Sequence, residues 1–124
     1  MYTVSIKTDF SAAHSIRGYQ GDCSRLHGHN YTVEVKVNAD SVDKIGMCVD
    51  FRELKKITKE TIKVIDHTNL NDNPFFKENN PTAENIARFI FEEIKTRIKG
   101  KLSLDSVTVW ESDDYAVTYR EEGK

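Results

Sequence analysis

A chain of 124 residues, 38% hydrophobic and 31% charged, is long enough for one domain with a real core and too short for two, so residues 1–124 are expected to form a single domain. Its formal charge of −2 gives no long-range attraction for nucleic acid or an anionic membrane, and no apolar run approaches the roughly 20 residues needed to span a bilayer. The N-terminus lacks a basic segment followed by an apolar one, so the expected location is cytoplasmic, with both cysteines as thiols.

In chain order, Tyr2, Val4, Ile6, Thr8 and Phe10 alternate with polar residues, the period of a half-buried strand. His14 follows, and then Cys23-Ser24-Arg25-Leu26-His27-Gly28-His29. His27 and His29 are two apart, so on an extended segment both rings point to one face. Any one histidine is ordinarily a surface or satisfied core residue. Three of the chain's four histidines within sixteen positions point instead to a metal. Three neutral imidazoles with an open fourth position are the ligand set of a catalytic zinc site rather than a closed structural one. Nickel, iron or cobalt would accept the same ligands, but zinc is the default. A free cysteine is most often a small buried hydrophobe. Cys23 sits in polar, loop-like company, where a nearby cation would favour thiolate and let it act as base or nucleophile. Cys48 has no such company and is read as structural.

Tyr31, Val33, Val35, Val37 and Ala39 form a second alternating strand. The period then changes: Leu54, Ile57, Thr61, Ile62 and Ile65 make an apolar helical stripe beside lysines and a glutamate. Asp66-His67 follows where that helix ends. Two readings fit it equally: a dipole-complementing histidine with a turn-capping aspartate, or a carboxylate orienting an imidazole that moves protons. No regular pattern runs from Asp66 to Asn79. A second helix is expected to begin near Asn80-Pro81-Thr82, to bury Ala83, Ile86, Ala87, Ile90 and Ile94, and to stop at Lys99-Gly100. Val107, Val109 and Glu111 share the parity of a third strand, and Tyr115, Val117 and Tyr119 make a fourth, joined as a hairpin. Glu111 is the unexpected residue, a carboxylate on the parity of core valines. Either the strand end is in water, or the side chain meets a cation or a ligand with two adjacent N–H donors. The order strand, strand, helix, helix, strand, strand implies an α+β domain, a four-stranded antiparallel sheet with both helices on one face and open edges that invite assembly.

Together these residues resemble the 6-pyruvoyltetrahydropterin synthase family, including its 6-carboxytetrahydropterin synthase (queuosine pathway) branch. The matching segments are Phe10–His14, Cys23–Tyr31, Val49–Lys55, Asp66–Asn71, Pro81–Asn85 and Val109–Ser112, six motifs in order along nearly the whole chain. The resemblance implies the tunnelling fold (T-fold), with subunits whose sheets join into barrels, a homo-oligomer that is a hexamer of two stacked trimers, and active sites between subunits. It further implies that His14, His27 and His29 bind Zn2+, that Cys23 is the catalytic base, that Asp66 and His67 complete a proton relay, and that Glu111 anchors the pterin and connects to that relay. The substrate would be 7,8-dihydroneopterin triphosphate. The short Cys-x3-His-Gly-His spacing resembles the carboxy-forming branch, whereas Val-Trp-Glu-Ser-Asp around Glu111 resembles the pyruvoyl-forming one. The cysteine spacing carries more weight, because it sets where the base sits relative to the metal. Lys7, Arg17 and Arg25 are candidate cations for the triphosphate. The alternatives are the pyruvoyl-forming enzyme, an aldolase of the same fold, and a non-catalytic zinc- or pterin-binding module.

Overall fold

A computed structural model describes residues 1–122. Two long strands dominate it. β1 (Tyr2–His14) and β2 (His27–Ala39) pair antiparallel over their whole length, with Phe10 opposite Tyr31, Ala12 opposite His29 and His14 opposite His27. Both extend through the small and polar residues that an apolar alternation does not mark, because each supplies the other's hydrogen bonds there. α1 (Phe51–Ile62) starts at Asp50, whose carboxylate accepts from the Arg52 N–H. It buries Leu54, Thr58, Thr61 and Ile62, with Ile65 buried just beyond it and Ile57 only half-buried.

The patternless segment contains three short elements. β3 (Thr68–Asn69) adds to β1 in parallel, beside Ala12 and Ala13. A single 3-10 turn (Leu70–Asp72) follows, then α2 (Pro74–Glu78), capped by the Asn73 side chain. Among the described residues the sheet therefore has five strands, not four, and there are three α-helices, not two. A two-residue strand and a five-residue helix are too short to show any period. α3 (Ala83–Lys95) begins later than the proline suggests. Pro81 lies outside it, and Thr82 is the cap, its hydroxyl accepting from the Asn85 N–H at 3.2 Å. The helix ends before Ile98, which packs half-buried against the core, and the chain turns at Gly100 (φ 75°). β4 (Ser103–Trp110) and β5 (Ala116–Tyr119) close the sheet in the order β3-β1-β2-β4-β5, and Tyr115 stands outside β5, 72% exposed.

One face of this sheet is covered. Ile6 and Phe10 of β1, Tyr31 to Val37 of β2 and Val107 and Val109 of β4 form one core with the apolar stripes of α1 and α3. Both helices lie on that face, as an α+β layer arrangement requires. Among the described residues no helix is long and apolar enough to cross a membrane.

Candidate metal and catalytic site

The strand pairing brings remote residues to one end of the covered face. His14 closes β1, His27 and His29 open β2, and Glu111 lies one residue past β4, directly after the Thr32–Trp110 pair and on the parity of Val109. One nitrogen from each imidazole and one Glu111 oxygen lie within 4.8 Å of one another. His14 is 1% exposed, and the Glu111 side chain 32%.

Two backbone carbonyls fix the tautomers. His14 Nδ1 lies 2.7 Å from the Pro81 carbonyl and His27 Nδ1 lies 2.7 Å from the Arg25 carbonyl. A carbonyl only accepts, so each Nδ1 carries the proton and each Nε2 keeps its lone pair. Those two Nε2 atoms face each other at 3.1 Å, and His14 Nε2 is also 3.3 Å from Glu111 Oε1. His29 Nε2 is buried and lies 3.0 Å from the same oxygen without the alignment of a hydrogen bond. Converging lone pairs with no hydrogen between them repel unless a cation sits among them, and N–H donation to a carbonyl is the usual support of a metal-bound histidine. The donor set thus fits a divalent ion. Burial pushes the His14 pKa below its ordinary value, against the pull of the Pro81 carbonyl and Glu111. Burial likewise lowers that of His29. Both are therefore held in the neutral form a metal needs. Tyr31 packs against both rings, its phenol pKa pushed upward by burial and the Glu111 charge, and its hydroxyl lies 3.2 Å from His14 Nδ1.

The loop after His14 is pinned by two asparagines. The Asn71 side chain accepts from the Ser15 N–H at 2.8 Å and donates to its carbonyl at 3.0 Å. Asn80 does the same to Arg17. This accounts physically for the Leu-Asn motif and for the position of the Pro81 carbonyl beside His14. Arg17 is committed to this scaffold, its guanidinium donating to the Phe76 and Lys77 carbonyls.

Asp66 and His67 lie at the other edge of the sheet. Asp66 Oδ1 is 2.8 Å from His67 Nδ1 and also accepts from the Ser11 N–H. The His67 N–H donates to the Ser11 carbonyl, with the backbone in the left-handed region (φ 59°). Non-glycine residues rarely adopt that conformation, and it holds this imidazole out, 80% exposed. A cleft of about 500 Å³ has both His29 and His67 in its wall, with Asn30 and Asn69. Cys23 sits exposed on a separate 3-10 turn (Asp22–Ser24), belongs neither to that wall nor to the histidine cluster, and is a free thiol, as is half-buried Cys48. Within one chain, then, the histidines meet Glu111, while Cys23 and the Asp66–His67 pair stand apart. Sequence reading missed the Pro81 and Arg25 carbonyls, since an orienting carbonyl has no residue type to betray it.

The family described as 6-pyruvoyl tetrahydropterin synthase matches residues 3–122. The chain belongs to that family. A relative from Archaeoglobus fulgidus, provisionally named 6-carboxy-5,6,7,8-tetrahydropterin synthase, is 42% identical over 90% of this chain and 89% of its own. One from Pyrococcus furiosus, named dihydroneopterin monophosphate aldolase, is 35% identical over 90% of each chain. The solved structure of Caenorhabditis elegans 6-pyruvoyl tetrahydropterin synthase superposes with a TM-score of 0.86 at 32% identity, over 98% of this chain and 96% of that one. The fold is therefore the T-fold of the synthase family, with the short β3 and α2 as its additions to the expected four strands and two helices.

Proposed function

We propose that this family member is a 6-carboxy-5,6,7,8-tetrahydropterin synthase, converting 7,8-dihydroneopterin triphosphate to 6-carboxytetrahydropterin with release of acetaldehyde and triphosphate. The observation that carries this reading is the converged His14–His27–His29 cluster, with Cys23 separated from His27 by three intervening residues. The Archaeoglobus relative that carries the same name supports it.

His14, His27 and His29 would hold Zn2+, which when bound polarises substrate oxygens as a Lewis acid and lowers the pKa of hydroxyls beside it. Glu111 belongs to the substrate in this reading rather than to the metal. Its side chain is one-third exposed at a strand end, whereas His14 is sealed. A fourth protein ligand would also close the position that catalysis requires. The Glu111 carboxylate accepts two adjacent N–H groups of the pterin. Asp66 fixes the His67 ring through Nδ1, leaving Nε2 to give or take a proton at the side-chain carbons. Cys23 is the partner base. In this reading a second copy supplies either Cys23 or the Asp66–His67 pair, so that the catalytic unit is a homo-oligomer, the hexamer of two stacked trimers that the family resemblance implies.

Incubating the zinc-loaded protein with 7,8-dihydroneopterin triphosphate and analysing the products by mass spectrometry tests the reading. The carboxy product with one equivalent of acetaldehyde is expected. A pyruvoyl product without acetaldehyde would move the chain to the other branch of its family. The aldolase is the second reading, favoured by the Pyrococcus relative at 35% identity. It predicts cleavage of a dihydroneopterin monophosphate instead, and the same assay with that substrate separates it.

A further inference from the structure

A second and larger groove, about 700 Å³, runs between the exposed face of α1 and the free edge of β1, where Asp9 lies. Arg52, Lys55, Lys56, Lys59 and Lys63 line it. Their spacing of three and four residues puts them on one helix face, over about 16 Å of helix. Lys55, Lys59 and Lys63 follow one another at i, i+4, an arrangement of like charges that works against the helix unless an anion lies along it. Among the described residues none of the four lysines is in an ion pair. The stripe is also out of keeping with a chain of net charge −2.

We propose that this groove is a polyphosphate subsite and that the triphosphate of the pterin substrate lies in it. The proposal rests on the reaction proposed above. Continuity with the cleft carries it. Asp66 lines the groove at the C-terminal end of α1, its carboxylate is 2.8 Å from His67, and His67 lines the neighbouring cleft together with His29. A triphosphate is attached to the side chain that reacts, so its subsite must open beside the acid–base pair, as this one does. The lysines would both bind the tail and stabilise the charge that grows on it as it departs. Four lysines, with Arg52 already held by Asp50 at 3.1 Å, against the three carboxylates Asp9, Glu60 and Asp66 suit a short, dense anion. A nucleic acid would need a larger basic surface on a protein of positive charge. Of the cations considered from sequence, Arg17 is already engaged with two backbone carbonyls, whereas the α1 lysines are not.

The test compares Lys55→Gln/Lys59→Gln with a control of equal charge change away from the groove, Lys44→Gln/Lys101→Gln. Glutamine keeps the helix propensity, and circular dichroism checks the fold. Calorimetric titration with inorganic triphosphate should show binding to the wild type and the control, weakened about tenfold or more in the α1 double variant. The kcat/KM for dihydroneopterin triphosphate should fall by a similar factor. Absent triphosphate binding in the wild type, or equal affinity in all three proteins, overturns the subsite. Triphosphate binding that depends on the lysines, without turnover of the pterin, strikes the reaction and leaves the anion site. Turnover with unchanged kcat/KM in the double variant strikes the subsite and leaves the reaction.

Discussion

At the scale of single residues, His27 and His29 were legible because a strand of period two leaves a histidine pair no choice of face, and His14 because it follows the preceding strand within sixteen positions of them; the register that sets His14 opposite His27 is seen only in the fold. Glu111 was legible as an anomaly of parity, though not as a neighbour of His14 and His29, since that contact depends on a register between β2 and β4 that no local pattern encodes. Replacing Cys23 with alanine should lower turnover by at least a hundredfold while metal content, read by elemental analysis, stays at the wild-type level. Near-normal turnover would take the thiol out of the reaction. The histidines also set a pH dependence. In the folded, metal-free chain His14 and His29 have pKa values below the ordinary 6.5, which an unfolded chain recovers. Between the two values the unfolded state binds more protons, so stability falls as the pH drops below 6.5 and is fully present above it. Urea midpoints of the chelated protein should therefore be lower at about pH 5.5 than at about pH 7.5. A midpoint that does not move would contradict the burial of these rings.

At the scale of elements, the long strands and the two amphipathic helices were readable because each repeats its period several times, as in Val33–Val35–Val37 and Ile86–Ile90–Ile94. Boundaries were less so. Pro81 suits a first helical turn in the abstract, yet the Thr82 hydroxyl, by accepting from the Asn85 N–H, decides where α3 begins. Thr82→Ala should cost about 1 kcal/mol of unfolding free energy, whereas Thr82→Ser should cost little, measured by denaturant titration. Because Pro81 adjoins this cap and its carbonyl orients His14, the alanine variant should also weaken metal binding; unchanged affinity would mean that the loop is held by Asn71 and Asn80 alone. β3 was invisible for a different reason: two residues have no period, and only the left-handed turn at His67 brings them to β1.

At the scale of the whole molecule, the sheet ends on one side in the four-residue β5 and on the other in β1, whose edge is covered by β3 only at Ala12 and Ala13. Unpaired edges of this length are protected or paired in stable proteins. Sedimentation analysis should accordingly find a multiple of the single chain, and a monomer at all concentrations would refute assembly through these edges. The sequence marked the strands as edges in waiting but could not say which would end the sheet, because strand order is a property of the folded layer.

The candidate metal cluster draws on His14, His27 and His29, faces Glu111 and leans on the Pro81 carbonyl, so it exists only once nearly the whole chain has closed on itself. In the unfolded chain only the His27–Gly28–His29 pair is local. An ion that prefers the complete set acts as a thermodynamic latch, adding stability in proportion to the logarithm of its concentration over its dissociation constant. Ion uptake should then report folding across residues far apart in sequence, and chelation should loosen strands and helix N-terminus together rather than one loop at a time, as hydrogen exchange would read.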